Sequence, residues 1–165
     1  MVSLGALEGE PVELLEGLLV EVMSPQSAAH ATVIERLTRH LAPAGARLRV
    51  QLPLEVPPDS EPEPDLALVE GEPSPVRHPR TALLVVEVSF SSPQIDRGVK
   101  AELYARAAVP TYWLIDVLGK AVEVRTDPGP EGYPRCEVYK AGDRVPSPAE
   151  GVAELDVGAL LEDLS

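Results

Sequence analysis

Two acids in this chain stand where an acid has a chemical consequence. Glu87 lies inside the apolar part of T-A-L-L-V-V-E-V-S-F-S-S-P-Q-I-D-R-G-V-K, residues Thr81–Lys100. Such a run forms a strand buried on both faces, and a charged glutamate there is costly unless it is paired, neutralised or bound to a metal. Asp65, directly after Pro64, opens a second short apolar run, D-L-A-L-V. If the two strands are neighbours, both carboxylates meet at one end of a sheet. Two hard oxygen ligands and a backbone carbonyl suit Mg²⁺ or Mn²⁺, ions that keep several waters. A lysine nearby would orient or deprotonate the attacking water and offset charge developing on a phosphate.

The elements that position these groups follow from periodicity. Strand alternation puts Glu87 and Ser89 on one face and Val86 and Val88 on the other. Ser92-Pro93 reads as a helix start, and the helix beyond it carries Lys100 and Tyr104 one turn apart on one side. Upstream, Val12–Leu15 and Leu18–Met23 flank Glu16-Gly17, a hairpin or a helix-to-strand turn, closed by Ser24-Pro25. Ala28, Ala29, Val33, Ile34, Leu37 and Leu41 keep helical spacing until Pro43 and Gly45; this helix also carries His30 and Glu35. Arg47–Val56 alternates as a half-buried strand. Eight prolines between Pro53 and Pro79 make a rigid loop around the strand Asp65–Val69. Val109–Val117 predicts another buried strand, Ala121–Thr126 its antiparallel partner, Tyr133–Lys140 a further strand, and Val152–Leu161 a strand or helical tail. The order predicts an α/β fold, a mixed sheet flanked by helices, as a single domain over residues 1–165.

Composition bounds the function. The net charge of −13 argues against a sequence-independent nucleic-acid coat. It is uneven: residues 1–70 hold 12 acids against 4 bases, whereas residues 77–106 hold 5 bases against 3 acids. The basic window surrounds Glu87 and suits a phosphate-bearing ligand, or is scattered surface charge. The lone Cys136 excludes an internal disulfide and a cysteine-rich zinc site. The N-terminal residues lack signal-peptide character and no apolar run approaches a membrane span, so the expected location is cytoplasmic. Having 18 Pro, 3 Lys beside 11 Arg and no Asn fits a GC-rich genome and is compatible with a thermophile.

Several motifs together carry a family resemblance. They are P-D-L-A-L-V (Pro64–Val69), L-L-V-V-E-V-S (Leu83–Ser89), Ser92-Pro93, D-R-G-V-K-A-E-L-Y (Asp96–Tyr104) and V-P-T-Y-W-L-I-D (Val109–Asp116). E-L-L-E-G-L-L-V-E-V-M-S-P (Glu13–Pro25) and His30 precede them. The combination resembles the Uma-two family of endonucleases in the PD-(D/E)XK restriction-endonuclease-like superfamily, from about Glu13 to the C-terminal L-D-V-G-A-L-L. The resemblance implies a restriction-endonuclease-like mixed β-sheet flanked by helices, with additional antiparallel strands. It implies Mg²⁺- or Mn²⁺-dependent hydrolysis of phosphodiester bonds in nucleic acid, above all DNA, with Asp65 and Glu87 as metal ligands. The superfamily's usual lysine lies two residues after the second acid, where this chain has Ser89; in this branch the lysine sits on the following helix, as Lys100. The family often has a glutamate directly after the glycine matching Gly17, where this chain has Leu18, so no acidic role falls there.

The remaining candidates each have a plain structural reading beside the functional one. Arg97, one turn before Lys100, is a candidate phosphate contact. His30 is a packing histidine or a phosphate or metal-shell contact. Gln51 belongs to a polar strand face or touches substrate. Glu35 is a solvated acid or an auxiliary one, and Tyr104 and Trp113 read as core or interface packing. For Glu87 the plain structural reading is a carboxylate neutralised by an arginine such as Arg97 or exposed at a strand edge, with the functional reading ahead of it. Two rival functions remain: a catalytically silent binding or oligomeric module of the same fold, and a phosphodiesterase acting on something smaller than DNA. A homo-oligomer pairing two sites would use the sheet edge near Trp113.

Overall fold

A computed structural model of the chain describes residues 12–21, 27–90 and 94–164. The expected chain stop at Ser24-Pro25 and the helix start at Ser92-Pro93 lie outside the described residues. Strands β1 (Val12–Leu15) and β2 (Leu18–Glu21) pair as a hairpin. Its turn places Glu16 and Gly17 at φ 50° and 76°, the left-handed pair that a two-residue hairpin requires. Helix α1 (Ala28–Leu41) starts on Ser27, whose hydroxyl accepts the His30 N–H at 3.1 Å. It buries Val33, Ile34, Leu37 and Leu41, the stripe its spacing predicts.

Six strands follow in one sheet: β3 (Arg47–Val50), β4 (Leu66–Val69), β5 (Leu84–Ser89), β6 (Thr111–Asp116), β7 (Ala121–Thr126) and β8 (Arg135–Lys140). They lie in sequence order, and only β5 and β6 run parallel. A parallel neighbour needs a crossover. Here it is a π-helical turn (Asp96–Lys100) running into helix α2 (Ala101–Arg106). Short strands β9 (Arg144–Val145) and β10 (Leu155–Asp156) pair before helix α3 (Val157–Leu161).

The sheet separates two cores. On one side Leu66, Leu84, Val86, Val88, Trp113 and Ile115 pack with α1 and α3. On the other, Ala67, Val69, Val85, Tyr112 and Leu114 pack with α2 through Ala101, Tyr104 and Ala105. Val86 and Val88 therefore face α1, and Glu87 faces α2, as alternation requires.

Two expectations are corrected. The strand predicted over Arg47–Val56 ends at Val50, because Gln51 adopts φ 50° and the chain leaves the sheet. Leu54 and Val56 are nonetheless fully buried, so a loop with strand-like alternation imitates a longer strand. The oligomer edge placed near Trp113 does not exist: β6 lies between β5 and β7, and Trp113 is fully buried. The sheet edges are β3 and β8. No helix of the described residues is long and apolar enough to cross a membrane.

Candidate active site

The β4–β5 register pairs Leu66 with Val86; one step further along the ladder, Asp65 stands opposite Glu87 on the α2 face. Asp65 is fixed at both oxygens: Oδ2 accepts the Val88 N–H at 2.8 Å, and Oδ1 lies 3.4 Å from His30 Nε2 on α1. Glu87 Oε1 accepts from Lys100 Nζ at 3.1 Å and from the Tyr104 hydroxyl. Lys100 and Tyr104 thus act from one side of their helix on one oxygen of a buried strand acid.

Two further acids complete the cluster. Glu13, on β1, accepts from Lys100 Nζ at 3.2 Å through Oε1. Its Oε2 lies 3.0 Å from the ammonium but outside hydrogen-bonding geometry, and is buried without a hydrogen-bond partner. Asp96 Oδ1 lies 4.0 Å from Lys100 Nζ. The π-helical turn brings Asp96 inward. Such a turn widens the helix by one residue and leaves carbonyls without their usual partner; the Tyr112 hydroxyl donates to the Asp96 carbonyl at 2.9 Å. Ser89, where the superfamily's usual lysine would stand, is buried.

Sequence reasoning assigned no role to Glu13 or Asp96. The available signals were a charged residue on the Leu15 face of β1, and the i, i+4 spacing of Asp96 with Lys100. Tyr104, read as packing, is also a donor to Glu87.

The other candidates are placed elsewhere. Arg97 Nε donates to Glu123 Oε1 at 2.7 Å and an Arg97 terminal nitrogen to Asp116 Oδ2 at 3.0 Å, so it ties the π-helical turn to β6 and β7. The buried partner of Glu87 is Lys100, and Arg97 does not contact it. Exchanging the charges in Arg97→Glu/Glu123→Arg should restore the activity that Arg97→Glu alone removes, if the arginine is a clamp. A phosphate contact would stay lost in the double variant, and cleavage kinetics of the two variants decide between them. Gln51 is exposed, although its N–H donates to the Asp65 carbonyl at 3.0 Å. Glu35 sits on the α1 surface with Arg39. Of the basic window around Glu87, Arg80 pairs with Glu55 and Arg106 with Glu16, while Arg77 is exposed with no ion pair among the described residues.

Charge is unbalanced at the centre. Glu13, Asp65, Glu87 and Asp96 surround one ammonium and His30. Burial, then the neighbouring acids, hold Glu87 well above the ordinary carboxylate range in spite of Lys100. Burial likewise raises Glu13 and Asp96. For Lys100, burial works against the charge but Glu87, Glu13 and Asp96 outweigh it and raise its value. The hydrogen bond to Asp65 raises His30 against the effect of burial.

A raised group holds its proton more tightly when folded, so its stabilisation is complete below the unfolded value and fades as pH climbs through the folded one. For Glu13 and Glu87 that loss begins above 4.5, and for His30 above 6.5. His40, lowered by burial, opposes this trend in the neutral range. Without divalent ions, the melting temperature should therefore fall as pH rises from about 5 to about 8. A melting temperature that climbs over that range would contradict this charge assignment.

Hard carboxylate oxygens in excess of the cations, one of them buried without a hydrogen bond, suit a divalent cation. Among the described residues no three His, Cys, Asp or Glu side chains form a ready-made cage.

The family model described as "Putative restriction endonuclease", Uma2, matches residues 4–158. A crystal structure of a putative nuclease belonging to DUF820 from Anabaena variabilis ATCC 29413 superposes with a TM-score of 0.75. The two share 19% identity, over 93% of this chain and 91% of that one. At that identity the likeness carries the fold. No curated protein matches the chain.

Proposed function

Since the chain belongs to the Uma2 family of putative restriction endonucleases, we propose that it is a cytoplasmic, Mg²⁺- or Mn²⁺-dependent nuclease that hydrolyses phosphodiester bonds in DNA. The observation that carries this reading is Asp65 standing opposite Glu87 across β4 and β5, with Lys100 buried against Glu87. Restriction-endonuclease-like enzymes generally use divalent ions. In this chain Asp65 and Glu87 would hold the ion. Bound there, it would act as a Lewis acid on the phosphate and lower the pKa of a water.

The chain's own groups have separable tasks. Val88 N–H and His30 fix the direction of Asp65, and the Tyr104 hydroxyl does the same for Glu87. Lys100 keeps its proton among the acids, so it is an electrostatic and positioning group rather than the base. Its ammonium offsets charge developing on the phosphate and orients the attacking water. Glu13 shares Lys100 with Glu87 and so sets how far the ammonium can move toward substrate.

The test is cleavage of single- and double-stranded DNA with Mg²⁺ or Mn²⁺, beside Asp65→Ala, Glu87→Ala and Lys100→Ala. Assay temperature is varied because the composition is compatible with a thermophile. Metal-dependent cutting lost in all three variants supports the reading; cutting retained in Lys100→Ala alone removes the role given to the lysine. A second reading, a silent binding module, draws on the engagement of Lys100, Arg97 and Arg106 by carboxylates. Absence of cutting together with absence of ion binding in calorimetry would favour it.

A further inference from the structure

Resting on the nuclease reading above, we propose that a nucleic-acid strand reaches the acids across β3, its backbone phosphates held by Arg49 and Arg47. Leu48 and Val50 pack into the α1-side core, so alternation puts Arg47 and Arg49 on the opposite face. The register agrees: Arg47 pairs with Val69 and Arg49 with Ala67, and Ala67 with Val85. Ala67, Val69 and Val85 belong to the α2-side core, the face that carries Glu87.

The row continues into the site. Gln51, just past the end of β3, donates its N–H to the Asp65 carbonyl at 3.0 Å. Arg47 and Arg49 therefore step along β3 at an interval of about 6.8 Å, and the backbone that follows them runs beside Asp65. A chain of phosphates laid on this row ends at the proposed catalytic acids.

Charge separates these two arginines from Arg80, Arg97 and Arg106; Arg36 likewise contacts only carbonyls, at the end of α3, and Arg77 is exposed with no acid partner among the described residues. Arg80 lies on Glu55, Arg97 on Asp116 and Glu123, and Arg106 on Glu16. Among the described residues, Arg47 and Arg49 contact only carbonyls. Arg47 Nε donates to Gly71 at 2.6 Å, and an Arg49 terminal nitrogen to Pro53 at 3.0 Å. Arg49 Nε is buried without a partner. Each guanidinium has five N–H donors, so most of them are unspent. Burial first, and the neighbouring Arg47 charge second, lower Arg49 from its ordinary value. In a chain of net charge −13, this is an anion site, and the guanidinium fork matches phosphate oxygens. Lys100, Arg97 and Arg106 are all committed to carboxylates. The strand is therefore gripped on the β3 side of the scissile bond.

Binding of a labelled single-stranded DNA oligonucleotide, followed by fluorescence anisotropy with divalent ions chelated, tests this without turnover. The double variant Arg47→Gln/Arg49→Gln should bind more weakly, and its log–log salt dependence should flatten by about 1.4, roughly 0.7 for each lost phosphate contact. Arg135→Gln/Arg144→Gln, the same charge change elsewhere, should keep the wild-type slope. Arg47→Lys/Arg49→Lys retains both charges and should keep most of the slope, which separates lost contacts from lost folding. A wild-type slope and affinity in the glutamine pair, with cleavage still dependent on Asp65, would overturn the arginine path and leave the nuclease reading standing. A wild-type protein that neither binds nor cuts nucleic acid would overturn both.

Discussion

Replacing Lys100 with methionine is expected to destabilise the protein by about 3–5 kcal/mol, the usual cost of removing one partner from a buried ion pair, and to abolish cleavage. Lys100 is the ammonium for Glu13 and Glu87 at 3.2 and 3.1 Å, and both acids are almost fully buried. Without it, the two carboxylates confront each other and Asp96 in a desolvated space. Their escape is to take up protons, so the loss should be larger at neutral pH than near pH 5. Urea denaturation at both pH values measures this. Equal losses at the two would mean that methionine's packing, rather than the missing charge, is responsible. Loss of cleavage with wild-type stability would place Lys100 in contact with substrate and outside the electrostatic support of the acids.

Glu87→Gln is expected to separate function from stability in the opposite way. The amide keeps an oxygen that can accept from Lys100 and Tyr104, and it removes the charge whose burial is most unfavourable. Stability should stay level or rise, as it does when a strained functional group is neutralised. Cleavage should fall at least about 10²-fold, since the loss acts on the electrostatics of the transition state. Thermal melting and single-turnover cleavage on the same preparation test the two halves together. A variant both unstable and inactive would make Glu87 a structural acid. A stable and fully active one would remove it from the chemistry.

The sequence by itself determined the local frame of the site. An acid interrupting an apolar run identified Glu87, alternation set its face, and helical spacing set Lys100 and Tyr104 on one side. The motif combination gave the family, and with it Asp65. These properties depend on residues a few positions apart, where backbone geometry dictates direction. The mixed sheet was legible for the same reason, except where proline and a left-handed Gln51 ended β3 inside a pattern that still alternated.

Tertiary structure decided which charges meet. Glu13 and Lys100 are 87 residues apart, and no periodicity joins them; the hairpin has to dock before Glu13 and Glu87 share Lys100 as their donor. Asp96 lies in a π-helical turn held by Tyr112; its i, i+4 spacing with Lys100 is local, but its burial beside Glu13 and Glu87 is not. Arg97, one turn from Lys100 in sequence, turned outward to Asp116 and Glu123. Most of a locally basic window was neutralised by acids, while Arg47 and Arg49, in an acidic stretch of sequence, have no acid partner among the described residues. Charges act through space on every neighbour within reach, and sequence order fixes only the nearest of those neighbours.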